Sequence, residues 1–212
     1  MQDIAEFFRS VRNPQALIAW GGYAGLSLII FAETGLLVGF FLPGDSLLVT
    51  AGLLAATKGI FNVYQLGLLL TVASIVGNSV GYAIGRAAGP RLFTREDSLL
   101  FNKKHLYRAH EFYERHGGAT VILARFMPIV RTFVPVVAGM AQMGYREYTF
   151  YNVVGGVAWI WSMLFIGYFL GRYIPGIDRH IEPVILAVIA ISLLPGVIGW
   201  YRARKTATPP TS

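Results

Sequence analysis

The chain has 212 residues, of which 55% are hydrophobic and only 14% charged, with a net charge of +7 and a mean hydropathy of +0.55. A soluble domain of this length needs far more charge to cover its surface, so the composition points to a polytopic membrane protein. With no cysteine, the chain has no disulfide framework, no thiolate zinc site and no cysteine nucleophile.

In chain order, residues 1–14 carry Asp3, Glu6, Arg9 and Arg12, which balance to zero. That is a poor signal-peptide start, and a retained amphipathic end is expected. Residues 15–31 read as a first helix. Runs without a charged residue cover 59–85, 148–171 and 183–201, long enough for membrane-spanning helices of about 20 residues. The predicted helices are therefore 61–86, 147–172 and 183–201. Two apolar stretches, 32–57 and 119–143, are awkward as simple spans. The first holds Glu33, Asp45 and Pro43-Gly44; the second holds Arg125, Arg131, Pro128 and Pro135. Proline removes a backbone donor and breaks helices, and bared backbone at membrane depth needs protein or a watery cavity around it. Two re-entrant hairpins are predicted, with arms of about ten to twelve residues, too short to cross.

The remaining charge sets topology. The linker 87–118, taken with Arg86, holds seven basic residues against four acids, and the tail 202–212 adds Arg202, Arg204 and Lys205. The segment 172–182 nets zero. The positive-inside rule places linker and C-terminus in the cytoplasm, and two crossings between them satisfy both placements. The linker reads equally as a solvated connector or as a surface helix on anionic lipid. Topology, rather than nucleic acid, explains the basic balance.

A repeat runs through the chain. Gly81-Tyr82-Ala83-Ile84-Gly85-Arg86 closes the helix 61–86, and Gly167-Tyr168-Phe169-Leu170-Gly171-Arg172 closes the helix 147–172. Upstream, Phe61-x-x-Tyr64 matches Tyr145-x-x-Tyr148 and Ala51-Gly52 matches Ala138-Gly139. A hairpin returns to its starting side and a helix crosses once, so the second copy begins on the opposite face. The expected fold is an all-α polytopic membrane protein. It consists of an inverted repeat of re-entrant hairpin plus transmembrane helix, with additional N- and C-terminal helices, and such repeats bind substrates at the midplane.

Insertion scales assign about 2.5–3.5 kcal/mol to an Asp or Arg at a helix centre, so Glu33, Asp45, Arg125 and Arg131 are the candidate working residues. Structural pairing among them is the bland alternative. Arginine stays protonated, and its planar fork suits phosphate, which makes Arg125 and Arg131 the expected anion holders. Desolvation favours a neutral carboxyl and a nearby arginine favours its anion; Glu33 and Asp45 are the expected proton carriers. Asp45, following Pro43-Gly44, also suits a helix cap. Asn78 reads as a helix–helix hydrogen-bonding residue, and Trp159, Trp161 and Trp200 as packing or interfacial anchors. His105, His110 and His116 share a helical face only loosely, so no metal site and no cofactor are expected.

These residues make the chain resemble the bacterial DedA family, also called the SNARE-associated or VTT-domain family. The resemblance rests on Phe31-Ala32-Glu33-Thr34-Gly35-Leu36, Phe41-Leu42-Pro43-Gly44-Asp45-Ser46, Gly77-Asn78-x-x-Gly81-Tyr82-x-x-Gly85-Arg86, Phe112-Tyr113-Glu114-Arg115-His116-Gly117-Gly118 and Ala124-Arg125-Phe126-Met127-Pro128-Ile129-Val130-Arg131-Thr132. It implies translocation of a polyprenyl phosphate or phospholipid across an inner (plasma) membrane, a link to the proton-motive force, and essential acids and arginines at Glu33, Asp45, Arg125 and Arg131. Asn78 departs from the aspartate expected there in many members, which removes one carboxylate.

The leading expectation is a flippase without enzymatic activity, moving undecaprenyl phosphate or a related lipid, with lipid phosphate, membrane lipids and protons as partners. A homo-oligomer is compatible with the sequence and not required by it. The competing readings are a proton-coupled antiporter of small cations or drugs, an intramembrane lipid-phosphate enzyme, and a non-transporting assembly factor. Against the enzyme, His105, His110, His116 and His180 all fall in predicted loops.

Overall fold

The computed structural model describes residues 14–36, 44–93, 118–174, 176, 177 and 183. Among them lie six helices: α1 (Pro14–Gly35), α2 (Gly44–Thr57), α3 (Val63–Phe93), α4 (Ala119–Ala124), α5 (Pro128–Met140) and α6 (Tyr145–Tyr173). The sequence expectations for the N-terminal end, the middle of the basic linker, the last helix beyond Pro183 and the tail lie outside the described residues.

The long elements start where local chemistry allows. Asn62 Oδ1 accepts from the amides of Tyr64 (3.0 Å) and Gln65 (3.2 Å), which satisfies otherwise orphaned donors at the start of α3. Glu147 sits in the first turn of α6 and Arg172 in its last, each favourably placed toward the helix dipole. Both Val63–Ala88 within α3 and Tyr145–Tyr173 are long and apolar enough to cross a membrane.

Three boundaries differ from the sequence expectation. The first helix continues past residue 31 to Gly35, carrying Glu33 on its last turn, and it breaks instead at Gly22, where φ is 52° and ψ −146°. That conformation is open to glycine because it has no Cβ. The helix predicted over 61–86 runs on to Phe93. Pro135, expected to interrupt, sits inside α5, where it removes the amide that would meet the Arg131 carbonyl. The break falls instead between α4 and α5. There Met127 is extended (φ −116°, ψ 102°), as the residue before a proline tends to be, and Pro128 opens α5 at a position that needs no intrahelical donor.

The two long helices run antiparallel. Gly67 faces the Trp161 ring, the Asn78 carbonyl accepts from the Tyr148 hydroxyl, and Tyr82 stacks on Tyr148 at 4.4 Å. Around this pair the short helices end near half height. After its break, α1 climbs beside α3 from Tyr23, whose hydroxyl accepts from the Asn62 amide (2.9 Å), to Gly35, which packs on Gly77. α2 starts at the midpoint of α6, where Trp159 bonds to Asp45, and runs parallel to it until Thr57 reaches Gly171. From the other end, α4 rises along α6 from Gly118 at Tyr151 to Arg125 at Gly155, and α5 returns along α3 until Gly139 meets Tyr82.

The packing is reciprocal: α2 lies against α6, and α5 against α3. Small residues make it close. Gly52 and Gly167 press on the Leu164 and Val49 carbonyls, while Gly139 and Gly85 press on those of Tyr82 and Val136, and none of the four has room for a Cβ. Leu47, Leu53, Leu66, Leu70, Trp159, Ile160 and Leu164 fill the core between α2, α3 and α6. The outer faces are apolar too, with Leu28, Leu68 and Phe150 each more than 60% exposed. A surface of that kind suits lipid as solvent, where helices associate through packing and small residues rather than hydrophobic burial. Leucine at Gly52 or Gly139 is expected to lower stability by about 1–3 kcal/mol or more, the scale of overpacking. Thermal unfolding in detergent checks this, and an unchanged midpoint for both variants would contradict the packing described.

Candidate functional site

All four ionisable residues that the sequence singled out are buried, with Glu33 1% and Arg125 2% exposed. They do not form one cluster. Arg131, in the second turn of α5, donates through Nη1 to Asp45 Oδ1 (2.6 Å) and through Nη2 to Glu33 Oε1. It thus draws the last turn of α1 and the first turn of α2 onto α5. Trp159 of α6 completes the group. Its Nε1 donates to the same Asp45 oxygen (2.9 Å), and its ring lies 4.6 Å from the Arg131 guanidinium carbon, within cation–π range. Asp45 is the second residue of α2 rather than the flanking residue that would cap it, and its Oδ1 is turned to Arg131 and Trp159.

Gly44 is required at this point for a close approach. Glu33 Oε2 occupies the space that a Cβ on Gly44 would fill, so any side chain there displaces the carboxylate. Among the described residues that oxygen takes no hydrogen bond from another side chain.

Arg125 stands apart at the break after α4. It donates to Ser74 Oγ (2.7 Å), to the Asn152 carbonyl (3.2 Å) and to Asn152 Oδ1. The Asn78 amide is satisfied with its Nδ2 on the Thr34 carbonyl (2.8 Å) and its Oδ1 on Arg125 Nη2 (2.6 Å). Asn152 is itself held by the Ile75 carbonyl (3.1 Å) and Ser79 Oγ (3.3 Å), and Tyr148 donates to the Asn78 carbonyl (2.9 Å). Gly155 and Gly156 leave the slot on α6 through which the guanidinium passes; a Cβ on Gly155 would lie 2.8 Å from Arg125 Cδ. Among the described residues Arg125 has no carboxylate partner. Its surroundings solvate the charge with dipoles and do not neutralise it.

Sequence reasoning placed Glu33 and Asp45 on one hairpin and Arg125 and Arg131 on another. The structure brings three of them together and leaves Arg125 with neutral partners. Asn78 bonds between helices, as expected. Trp159 is a buried anchor, and its contact with the ionic group had no signal beyond its position in an apolar run. Asn152 and Ser74 were missed because uncharged polar residues carry little cost in a membrane helix. The one available hint was that Asn152, like Asn78, is an amide inside a charge-free span. No group of His, Asp or Glu suited to a metal occurs among the described residues.

The VTT domain model matches residues 42–169, a stretch that contains Asp45, Arg125, Arg131, Trp159 and the neutral partners of Arg125. The chain is also 48% identical to Protein DedA of Escherichia coli K12 over 87% of its length and 84% of that protein. The chain belongs to the DedA family. An uncharacterized membrane protein of Mycobacterium leprae is 42% identical over 91% of this chain and 86% of its own length. The inner membrane protein YqjA of E. coli K12 is 37% identical over 79% and 75%. No solved structure matches. This DedA-family chain is therefore a membrane protein.

The ionic group generates a stability prediction. Removing one partner of a buried ion pair costs about 3–5 kcal/mol, because the other charge is left bare. Arg131→Ala is expected to lower the unfolding temperature sharply, and adding Glu33→Gln and Asp45→Asn to recover most of the loss. If the triple variant is no more stable than Arg131→Ala, as measured by thermal unfolding in detergent, the three groups are not coupled as described.

Proposed function

We propose that the protein is a lipid-phosphate translocase of the inner membrane, carrying undecaprenyl phosphate or a related phospholipid between leaflets. Arg125 holds the headgroup, and Glu33 carries a proton against Arg131. The observation that carries this reading is the buried guanidinium of Arg125, surrounded by Ser74, Asn78 and Asn152 and without a carboxylate among the described residues. A neutral cradle keeps the positive charge available to a phosphate, which an arginine binds through paired, charge-assisted hydrogen bonds. Arg131 is already engaged by two carboxylates, so it becomes an anion partner only when one of them takes up a proton or moves. Glu33 suits that role, since its Oε2 is held by no side chain among the described residues. The same engagement weighs against the antiporter reading, in which the acids would have to be free for a cation.

The half-height helices support a pair of re-entrant hairpins, α1 after Gly22 with α2 and α4 with α5, related as an inverted repeat. Both hairpins bring their inner ends, and with them all four charges, to the depth where α3 and α6 have their midpoints. The linker and the C-terminus face the cytoplasm in this arrangement, as the basic residues require. Because the chain has no cysteine, labelling is clean. Ala24→Cys and Lys58→Cys should react with an impermeant maleimide from one face of the membrane and Gln142→Cys from the other. Labelling of Ala24→Cys and Lys58→Cys from opposite faces would sink the first hairpin.

The central test follows leaflet exchange of a labelled polyprenyl phosphate in proteoliposomes, with and without a pH gradient. Arg125→Ala is expected to reduce exchange to the rate of protein-free vesicles, and Arg125→Lys to retain part of it. Glu33→Gln should exchange lipid with no response to the gradient. Wild-type exchange by Arg125→Ala overturns the headgroup assignment, and release of inorganic phosphate would make the protein an enzyme.

A further inference from the structure

At the end of α3, beside the start of α6, a groove of about 580 Å³ opens between Ser79, Tyr82, Ala83, Arg86, Ala87 and Tyr145. We propose that it is an outer phosphate site, outside the buried one, where the phosphomonoester headgroup of an amphiphile rests on its way to or from Arg125. The inference rests on the translocase reading for its place on the headgroup's path, and on the groove's own chemistry for its ligand.

Three features fit that ligand. The first is a fixed cation. Arg86 is exposed, yet its Nη1 donates to the Tyr82 hydroxyl (3.0 Å), which in turn donates to the Met143 carbonyl. The Tyr82 ring is stacked on Tyr148 at 4.4 Å and tilted against Tyr145 at 5.6 Å. Gly139 presses against the Tyr82 carbonyl and the Arg86 amide, so the backbone beneath the arginine is held as well. Only one of the five N–H groups of this guanidinium is engaged among the described residues. The remainder have no partner among the described residues, and a forked contact with phosphate oxygens would engage them.

The second feature is the wall. Ala83 and Ala87 leave one side small and apolar, and the rings of Tyr82 and Tyr145 add apolar faces with polar tips. A cation beside apolar walls suits an amphiphile better than a hydrophilic anion. The third is continuity with the buried site. Ser79 lines the groove and accepts from Asn152 Nδ2 (3.3 Å), while Asn152 Oδ1 accepts from Arg125. Ser79 gives its own proton to the Ile75 carbonyl (2.8 Å), so it is the partition between the two sites rather than a donor to the outer one. One side chain, Asn152, spans from that partition to the inner arginine.

The probe is labelled farnesyl phosphate, short enough to handle in detergent, and it is bound at equilibrium to the full chain. Arg125→Ala is expected to keep a weaker site. Adding Arg86→Gln, similar in length and uncharged, should weaken that site at least about tenfold, the scale of one charge-assisted contact, while Arg86→Lys should keep most of it. Competition identifies the source of the phosphate. Displacement by inorganic phosphate makes the headgroup chemistry sufficient, whereas displacement by unlabelled farnesyl phosphate alone assigns the site to lipid. Equal displacement by farnesol would overturn the proposal, because the tail alone would then be recognised. So would unaltered binding when Arg86→Gln is added to Arg125→Ala. In proteoliposomes Arg86→Gln should slow exchange more at low lipid concentration than at high, whereas Arg125→Ala fails at every concentration. If Arg125→Ala exchanges normally, the translocase reading fails and the binding result still decides the groove separately.

Discussion

An arginine inside an apolar interior needs counter-charges or held dipoles around it, and the placement of Arg131, which takes the first course, organises much of the molecule. Its two carboxylates come from different helices, Glu33 at the end of α1 and Asp45 at the start of α2. For both to reach one guanidinium on α5, α1 must stop and α2 must start at the same depth. Trp159 then fixes that depth at the midpoint of α6. The half-height helices and the ionic group are thus two descriptions of one constraint. Moving either acid away from that depth would leave it bare and Arg131 with a single counter-charge, which is costly inside a membrane.

The formal charges divide unevenly. With both acids ionised, the group around Arg131 is negative by one, and Arg125 is positive by one. Side-chain dipoles of Ser74, Asn78 and Asn152 make the latter tolerable without neutralising it. Such a site is more stable when its dipoles are themselves held, and the two amides are: Asn152 by the Ile75 carbonyl and Ser79, Asn78 by the Thr34 carbonyl. The carbonyl of Thr34, the neighbour of Glu33, reaches the Arg125 group through Asn78. A shift of the last turn of α1 would therefore be felt at both arginines, which is the link that the proposed coupling requires.

Reciprocal packing makes that geometry possible. Each short returning helix lies against the long helix of the other half, joined by glycines that let backbones touch. In lipid this close approach is the main source of helix association. Gly155 and Gly156, two further glycines on α6, instead make room for the Arg125 side chain.

The sequence by itself determined the membrane class, the extents of α3 and α6 to within a few residues except at the end of α3, and the identity of the four charges. A charge in an apolar run is costly whatever its partner, and a charge-free run is legible without knowing its neighbours. It also marked the two stretches that could not be plain spans, because proline and glycine act locally. It did not place the first helix end, since residues 31–35 contain no breaker before Gly35. Nor did it foresee that Pro135 would be carried within α5. Only the tertiary structure decided that Arg131 meets both acids while Arg125 meets none. Those pairings join residues 86 and 98 positions apart, and no local pattern distinguishes the two arginines. Asn152, Ser74 and Trp159 became visible for the same reason: a neutral polar group acquires a role only when another segment of chain brings a charge to it.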